Sequence, residues 1–343
     1  MPFTDIQLND GNKIPAIAFG SGSVNKGKDI HHYVSQAIDS GFSHLDTAQF
    51  YQNEEYVGVA IRESGLSRSE LYVTSKYGFG SLQDAFHASL TKLGLKHLDL
   101  YLIHTPSTIE QGGGYEAVWS QFEKFKEEGL TKSIGVSNFT IEHLQQLLKI
   151  AKVKPAVNQI RLHPYNLTEH ASLLEYHAKH GIITEAYGSL APITTYPGGP
   201  VDAPLRKAAE RLKITPTQVV FLWVKTKGAV IVTTSSSKQH LEEYFAVGDL
   251  PDLTAEEVAA IDAAGAKGPP TSFATVKLGG KVPAWWRILA VIFLMLIWLY
   301  FVSKPSTQEL GFKRAPNCHS QCADGLDGVR VSTHTCGDVV WKL

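Results

Sequence analysis

The sequence predicts an α/β protein: a closed (β/α)8 TIM barrel over residues 1–268, with an N-terminal β-hairpin and a C-terminal apolar helix beyond it. Three observations predict the barrel. Eight short β-rich runs alternate with longer helical segments up to about residue 265. The β runs are largely apolar, as parallel strands buried on both faces must be. Many of the polar residues they do contain fall at or near their C-terminal ends, where a barrel opens its reactive mouth. An open doubly wound sheet satisfies the alternation too, but eight repeats of this kind favour closure.

The hairpin is expected over residues 3–17, because two alternating stretches flank Asp10-Gly11. That dipeptide suits a tight turn needing φ > 0 at both central positions. It is extra to the eight repeats and is placed as a plug at the bottom. The barrel strands are expected at 14–20, 44–48, 71–76, 98–104, 133–138, 156–162, 183–190 and 229–235. Helices are expected at 30–40, 53–64, 81–93, 115–128, 141–152, 169–180 and 203–228. Gly41, Gly65, Gly94, Gly129, Gly181 and Gly228 follow final turns, where glycine accepts the left-handed conformation that ends a helix. Residues 105–114 and 191–204 are expected as flexible loops shaping substrate choice, with Arg161 and Arg206 as candidate clamps for a charged substrate.

Composition limits the function classes. The chain has 343 residues, 43% hydrophobic and 19% charged, ample for the core of a barrel. A net charge of −1 without a basic stripe argues against a nucleic-acid partner. Residues 1–317 contain no cysteine, and the N-terminus has no apolar run behind basic residues. A monomeric catalytic domain facing the cytoplasm is therefore expected.

Residues 269–284 are expected as a linker, 285–302 as a transmembrane helix and 303–343 as a disordered polar tail. The uncharged stretch 288–302 would span about 22 Å as a helix, against roughly 30 Å of hydrocarbon. Trp285 and Trp286 as interfacial anchors and a snorkelling Arg287 extend it into a marginal membrane anchor. A docking helix and translated non-coding sequence are the alternatives. Cys318, Cys322 and Cys336, with His319 and His334, match no metal-ligand spacing, so no metal is expected.

The polar residues at the strand ends form a constellation. Asp46 ends the second strand, Lys76 the third and His104 the fourth; Ser137 and Asn138 end the fifth. Gln159 lies in the sixth, Tyr187 and Ser189 near the end of the seventh, and Thr234 and Ser235 at the end of the eighth. Singly, Asp46 and Lys76 read as a structural ion pair, His104 as a strand cap and Tyr51 as loop packing. Convergence of so many costly polar groups on one mouth reads as a site.

The runs Asp46-Thr47-Ala48-Gln49-Phe50-Tyr51, Thr74-Ser75-Lys76, Leu102-Ile103-His104 and Gly135-Val136-Ser137-Asn138-Phe139 resemble the aldo-keto reductase superfamily, over residues 1 to about 265. Residues 14–22 (IPAIAFGSG) and 232–238 (VTTSSSK) bring the resemblance nearest to the fungal NADPH-dependent α-keto amide and α-keto ester reductases. It implies carbonyl reduction by hydride from a nicotinamide, with Tyr51 as proton donor. A free tyrosine has a pKa of about 10, so the Lys76 ammonium, pinned by Asp46, is expected to make the phenol more acidic. His104 is expected to orient the substrate carbonyl and donate to its oxygen.

The resemblance also assigns Ser137, Asn138 and Gln159 to the nicotinamide carboxamide and Tyr187 to stacking on the ring. Gly188, Ser189, Leu190, Thr234, Ser235, Lys238 and His240 fall to the rest of the dinucleotide. The family's NADPH users carry a Lys-Ser pair and an Arg five residues later; this chain has Thr234-Ser235 and His240 instead. That weakens a charge-assisted 2′-phosphate site, which Lys238 or a protonated His240 would partly restore. NADPH is expected, with NADH possible. Arg161 stands where the family usually has an acidic residue. The competing reading is a regulatory nicotinamide-binding subunit tethered to a membrane protein, against which the intact Asp46, Tyr51, Lys76 and His104 set argues.

Overall fold

The computed structural model describes residues 3–270. Strands β1 (Ile6–Gln7) and β2 (Lys13–Ile14) pair antiparallel as a hairpin. Strands β3 (Ile17–Gly20), β4 (His44–Asp46), β5 (Tyr72–Tyr77), β6 (Leu98–Ile103), β7 (Thr131–Ser137), β8 (Val157–Arg161), β9 (Ile183–Tyr187) and β10 (Val230–Thr233) run parallel in chain order. Pairing of Ile231 with Ile17 joins β10 to β3 and closes the barrel, which excludes the open sheet.

Two apolar layers hold it. Between strands and helices lies the larger core, including Tyr101, Ile103, Trp119 and Trp223. Inside the barrel, Leu100, Leu102, Val157 and Val230 pack with Leu8 and Ile14 of the hairpin. Alternation along β6 therefore sends successive residues to opposite faces. The hairpin seals the bottom as expected: Asn9 Nδ2 donates to the Pro155 carbonyl at 2.9 Å, and Asn12 Nδ2 to the Lys132 carbonyl at 3.0 Å.

Its turn differs from the two-residue type expected. Only Gly11 has positive φ, at 89°, and Leu8 N–H donates to the Asn12 carbonyl at 2.9 Å across a longer loop. Asp10 Oδ1 stabilises that loop by accepting from Asn12 N–H at 3.1 Å.

Other boundaries shift for identifiable reasons. The single helix expected over 203–228 is two, Asp202–Leu212 and Pro216–Thr226. Lys213 turns left-handed at φ 57°, Thr215 caps the second helix and Pro216 occupies its first turn, where no N–H is needed. The two stretches expected as flexible loops carry short helices, Ser107–Gln111 and Ala191–Thr194. Helices Lys238–Phe245 and Ala255–Gly265 follow the last strand, the second begun by a Thr254/Glu257 capping box. All six glycines expected at helix ends have positive φ.

The linker beyond residue 270, the apolar stretch 285–302 and the tail 303–343 lie outside the described residues. Among the described residues, no helix is long and apolar enough to cross a membrane, and no cluster of side chains could hold a metal ion.

Candidate active site

The strand ends converge as the sequence pattern implies. Asp46 is the last residue of β4, Ser137 of β7 and Tyr187 of β9. Lys76 is next to last in β5, Gln159 is central in β8, and His104 follows β6 directly. Tyr51 ends a single 3-10 turn, Gln49–Tyr51, that leaves β4. Buried Asn53 anchors this turn to the loop after β3, donating to the carbonyls of Ser21 at 2.8 Å and Asn25 at 3.1 Å. Against the Tyr51 ring lies Gly22: a Cβ there would fall 2.7 Å from Tyr51 Cζ. Only glycine lets the phenol sit where it does.

At the heart of the site is a buried ion pair. Lys76 Nζ donates to Asp46 Oδ1 at 2.6 Å and to the Thr47 carbonyl at 3.0 Å, with both side chains out of solvent. Burial by itself pushes Lys76 down, but Asp46, followed by Tyr51, outweighs it and holds the ammonium above its ordinary pKa. The ammonium lies 5.1 Å from the Tyr51 ring centre.

For Tyr51 the balance runs opposite to expectation. Burial pushes the phenol up, and the Lys76 ammonium offsets only part of that rise. The hydroxyl thus keeps its proton at neutral pH, with the Lys76 ammonium beside it. His104 sits edge-on to Tyr51, ring centres 5.5 Å apart at 88°. Burial, then Lys76, lowers its pKa to about 4, so the imidazole is neutral and carries one N–H.

A cavity of about 370 Å³ opens above these groups. Of the expected site residues, Asp46, Tyr51, His104, Ser137, Asn138, Gln159, Tyr187, Gly188, Ser189, Leu190 and Thr234 line it. Lys76 lies behind Asp46 and does not reach the cavity surface. Ser235, Lys238 and His240 are also outside it, where helix Lys238–Phe245 begins with Ser237 as its cap. There Ser235 Oγ lies 3.5 Å from His240 Nδ1, and Lys238 is exposed.

Several expected contacts are already engaged. Asn138, left-handed at φ 63°, donates through Nδ2 to the His104 carbonyl and to Ser137 Oγ, each at 3.0 Å, and accepts from the Tyr187 hydroxyl at 2.9 Å. Capping of the helix that follows belongs to Thr140. Gln159 Nε2 donates to Asp46 Oδ2 at 2.8 Å and to Glu185 Oε2 at 3.0 Å.

Sequence reasoning missed Gly22 and the interior carboxyl of Glu185. The first has a signal, a Gly-Ser-Gly run straight after a strand; a lone acid in an apolar strand is the signal for the second. Phe221, Val232 and Thr233 also line the cavity and carry no signal beyond position. Neither candidate clamp reaches the cavity: Arg161 is exposed, against Gly188, and Arg206 lies 3.8 Å from Asp202.

The sequence matches the family model described as Aldo/keto reductase family over residues 16–266. It is 42% identical over 260 residues to an aldo-keto reductase of Mycolicibacterium vanbaalenii, covering 74% of this chain and 90% of that protein. To an NAD/NADP-dependent indole-3-acetaldehyde reductase of Schizosaccharomyces pombe it is 37% identical over 243 residues, covering 68% of this chain and 86% of the other. The crystal structure of a Bombyx mori aldo-keto reductase in complex with NADP is similar with a TM-score of 0.69 at 32% identity, covering 76% of this chain and 92% of that one.

Proposed function

The chain belongs to the aldo/keto reductase family, and from that premise we propose that it reduces aldehydes, ketones or α-keto esters to alcohols with Tyr51 as proton donor. It is an NAD(P)H-dependent oxidoreductase of that family. The observation that carries the proposed chemistry is the buried Lys76–Asp46 pair at 2.6 Å beneath a Tyr51 that burial keeps protonated.

The residues fit a nicotinamide. Gln159 lines the cavity, and with both N–H groups of its amide engaged, Oε1 accepts no hydrogen bond among the described residues. It is therefore an acceptor available to a carboxamide. When bound, the cofactor supplies the hydride to the carbonyl carbon. Tyr51 Oη donates a hydrogen bond to the carbonyl oxygen and then its proton, giving the alcohol and a phenolate. Lys76 stabilises that phenolate, and Asp46 keeps the ammonium from turning away. His104 donates its one N–H to the same oxygen and helps polarise it.

No lysine or arginine lines the cavity, which favours uncharged carbonyl substrates. Phe50, half exposed, lies edge-on to His104 with ring centres 6.0 Å apart and carries Lys26 Nζ 3.4 Å from its ring centre. The α-keto ester and α-keto amide class follows from the IPAIAFGSG and VTTSSSK runs. NADPH is the preferred donor in this reading, through Lys238 near the cap of helix Lys238–Phe245. Tyr51→Phe tests the assignment: ketone turnover falls by about 10²- to 10⁴-fold with dinucleotide binding retained. Unchanged turnover would overturn the proton-donor role.

A further inference from the structure

Below the Lys76–Asp46 pair, the barrel axis holds polar groups that the chemistry above leaves unused. Glu185, central in β9, is fully buried. Its Oε2 accepts from Gln159 Nε2 at 3.0 Å, and the same nitrogen donates to Asp46 Oδ2 at 2.8 Å. Its Oε1 has no hydrogen-bond partner among the described residues and lies 3.9 Å from His44 Nε2. The Gln159 amide is thus gripped by two carboxyl groups from two strands, β4 and β9.

The two ends of a glutamine amide have nearly the same shape, so only their partners decide which way it faces. Two acceptors on one side settle it: Nε2 must point at the carboxyls, which leaves Oε1 for the cavity. With Asp46 as sole acceptor, the second N–H of a buried amide would go unpaired, a costly state that rotation toward the cavity relieves.

We propose that Glu185 is a positioning residue. Acting through Gln159, it holds the amide so that Oε1 is presented to an N–H of the nicotinamide carboxamide. This rests on the Gln159 contact of the proposed function.

The charge state of the cluster agrees with that role. The titratable groups facing Glu185 are Asp46 and His44 from β4 and Lys76 and Tyr72 from β5. Two carboxyls sharing one nitrogen cannot both ionise easily; burial first, then the charge of Asp46, pushes Glu185 up to about 8. Burial holds His44 down at about 4 and raises Tyr72. At neutral pH the axis therefore contains one ion pair and an uncharged Glu185; its proton belongs on Oε1, the oxygen without a partner, so Oε2 remains the acceptor of the Gln159 N–H, and a glutamine is a close copy.

The test compares two probes on the full chain: NADP⁺ and its 3-acetylpyridine analogue, in which a methyl replaces the amide NH₂. Dissociation constants come from quenching of protein fluorescence, and their ratio cancels any general weakening of a variant. The wild type is expected to prefer NADP⁺ by about tenfold, the worth of one good hydrogen bond. Glu185→Met is expected to bring the ratio to within about twofold of unity, and Glu185→Gln to restore it. Glu185→Ala, which cannot overpack, is read in the same way should the methionine variant not fold. A folded Met or Ala variant with the wild-type ratio overturns the role of Glu185. A wild-type ratio near one removes the Gln159 contact instead, and with it the basis of the inference.

Discussion

The two ends of the proposed dinucleotide cleft are built on different principles. Over the barrel axis, Asp46, Lys76, Gln159 and Glu185 are all buried and joined by hydrogen bonds of 2.6 to 3.0 Å. At the other end, Ser235, Lys238 and His240 stand at the start of a helix, exposed or partly so, with one contact at 3.5 Å between them. Chemistry requires groups that hold their geometry before substrate arrives, and burial with short hydrogen bonds enforces that. Binding of a cofactor's tail requires only charge within reach, which solvent-facing side chains supply and substitution retunes.

The largest effect that would sharpen this contrast is at the axis. Asp46→Asn keeps the shape but leaves Lys76 buried without a counter-ion. A loss of about 3 kcal/mol in stability is expected, the cost of breaking one side of a buried pair. Turnover should fall at least about a hundredfold, because the ammonium no longer stays under the phenol. Urea unfolding and single-turnover kinetics check both, and a stable, active variant would mean that the pair is ordinary scaffold.

Acid should attack the axis at His44 and the outer helix Leu167–His180 at His177. Burial holds His44 and His177 at about 4 in the folded chain, below the ordinary 6.5. The unfolded chain therefore takes up protons first, and stability drops as pH falls from about 6.5 to 4, by about 3 kcal/mol for each fully neutral histidine. Glu185 acts with the opposite sign: raised from 4.5 to about 8, it holds its proton longer in the folded chain, so its contribution declines as pH rises through that window. Urea midpoints measured across pH should thus peak between the two limbs, and Glu185→Gln should flatten the alkaline limb alone.

A smaller effect isolates position from charge. Gly22→Ala would bring a methyl to 2.7 Å from Tyr51 Cζ, so the ring must move while Lys76, Asp46 and His104 stay in place. About a tenfold loss in kcat with an almost unchanged melting temperature is expected, since small displacements of a reacting group are enough to cost that much. Steady-state kinetics beside thermal unfolding separates this from a folding defect.

The same contrast governs what was legible in the sequence. Asp46, Lys76, His104 and Ser137 announce themselves because a polar residue at the end of an apolar strand is costly to bury and is seldom kept without a use. Closure of the barrel and the glycine helix stops were legible for a similar reason, since one local cue decides each. Gly22 and Glu185 were not, because their roles depend on what lies across the barrel: the ring of Tyr51 and the amide of Gln159. The break at Lys213 has a local cue in Thr215-Pro216, a cap followed by a first-turn proline, which a single helix over 203–228 passes over. The acidity of Tyr51 is not legible either, because sequence reveals the neighbouring ammonium but not the depth of burial that opposes it.

The smallest predicted effect lies at the tail, where the chain lacks the family's paired lysine and arginine. His240 occupies the first turn of helix Lys238–Phe245, its N–H donating to the Ser237 cap at 3.4 Å, and its ring stacks 6.0 Å from that of Tyr244. His240→Arg adds a fixed cation and a forked donor without disturbing the cap, because the backbone makes that bond. KM for NADPH should fall about three- to tenfold, within the worth of one charge-assisted hydrogen bond, while KM for NADH stays within about twofold. Because Tyr51 and Lys76 are untouched, kcat should not move. Equal changes with both cofactors would mean that His240 acts on the pyrophosphate or on the helix rather than on the 2′-phosphate, and the division between a rigid chemical end and a tunable tail would have to be redrawn.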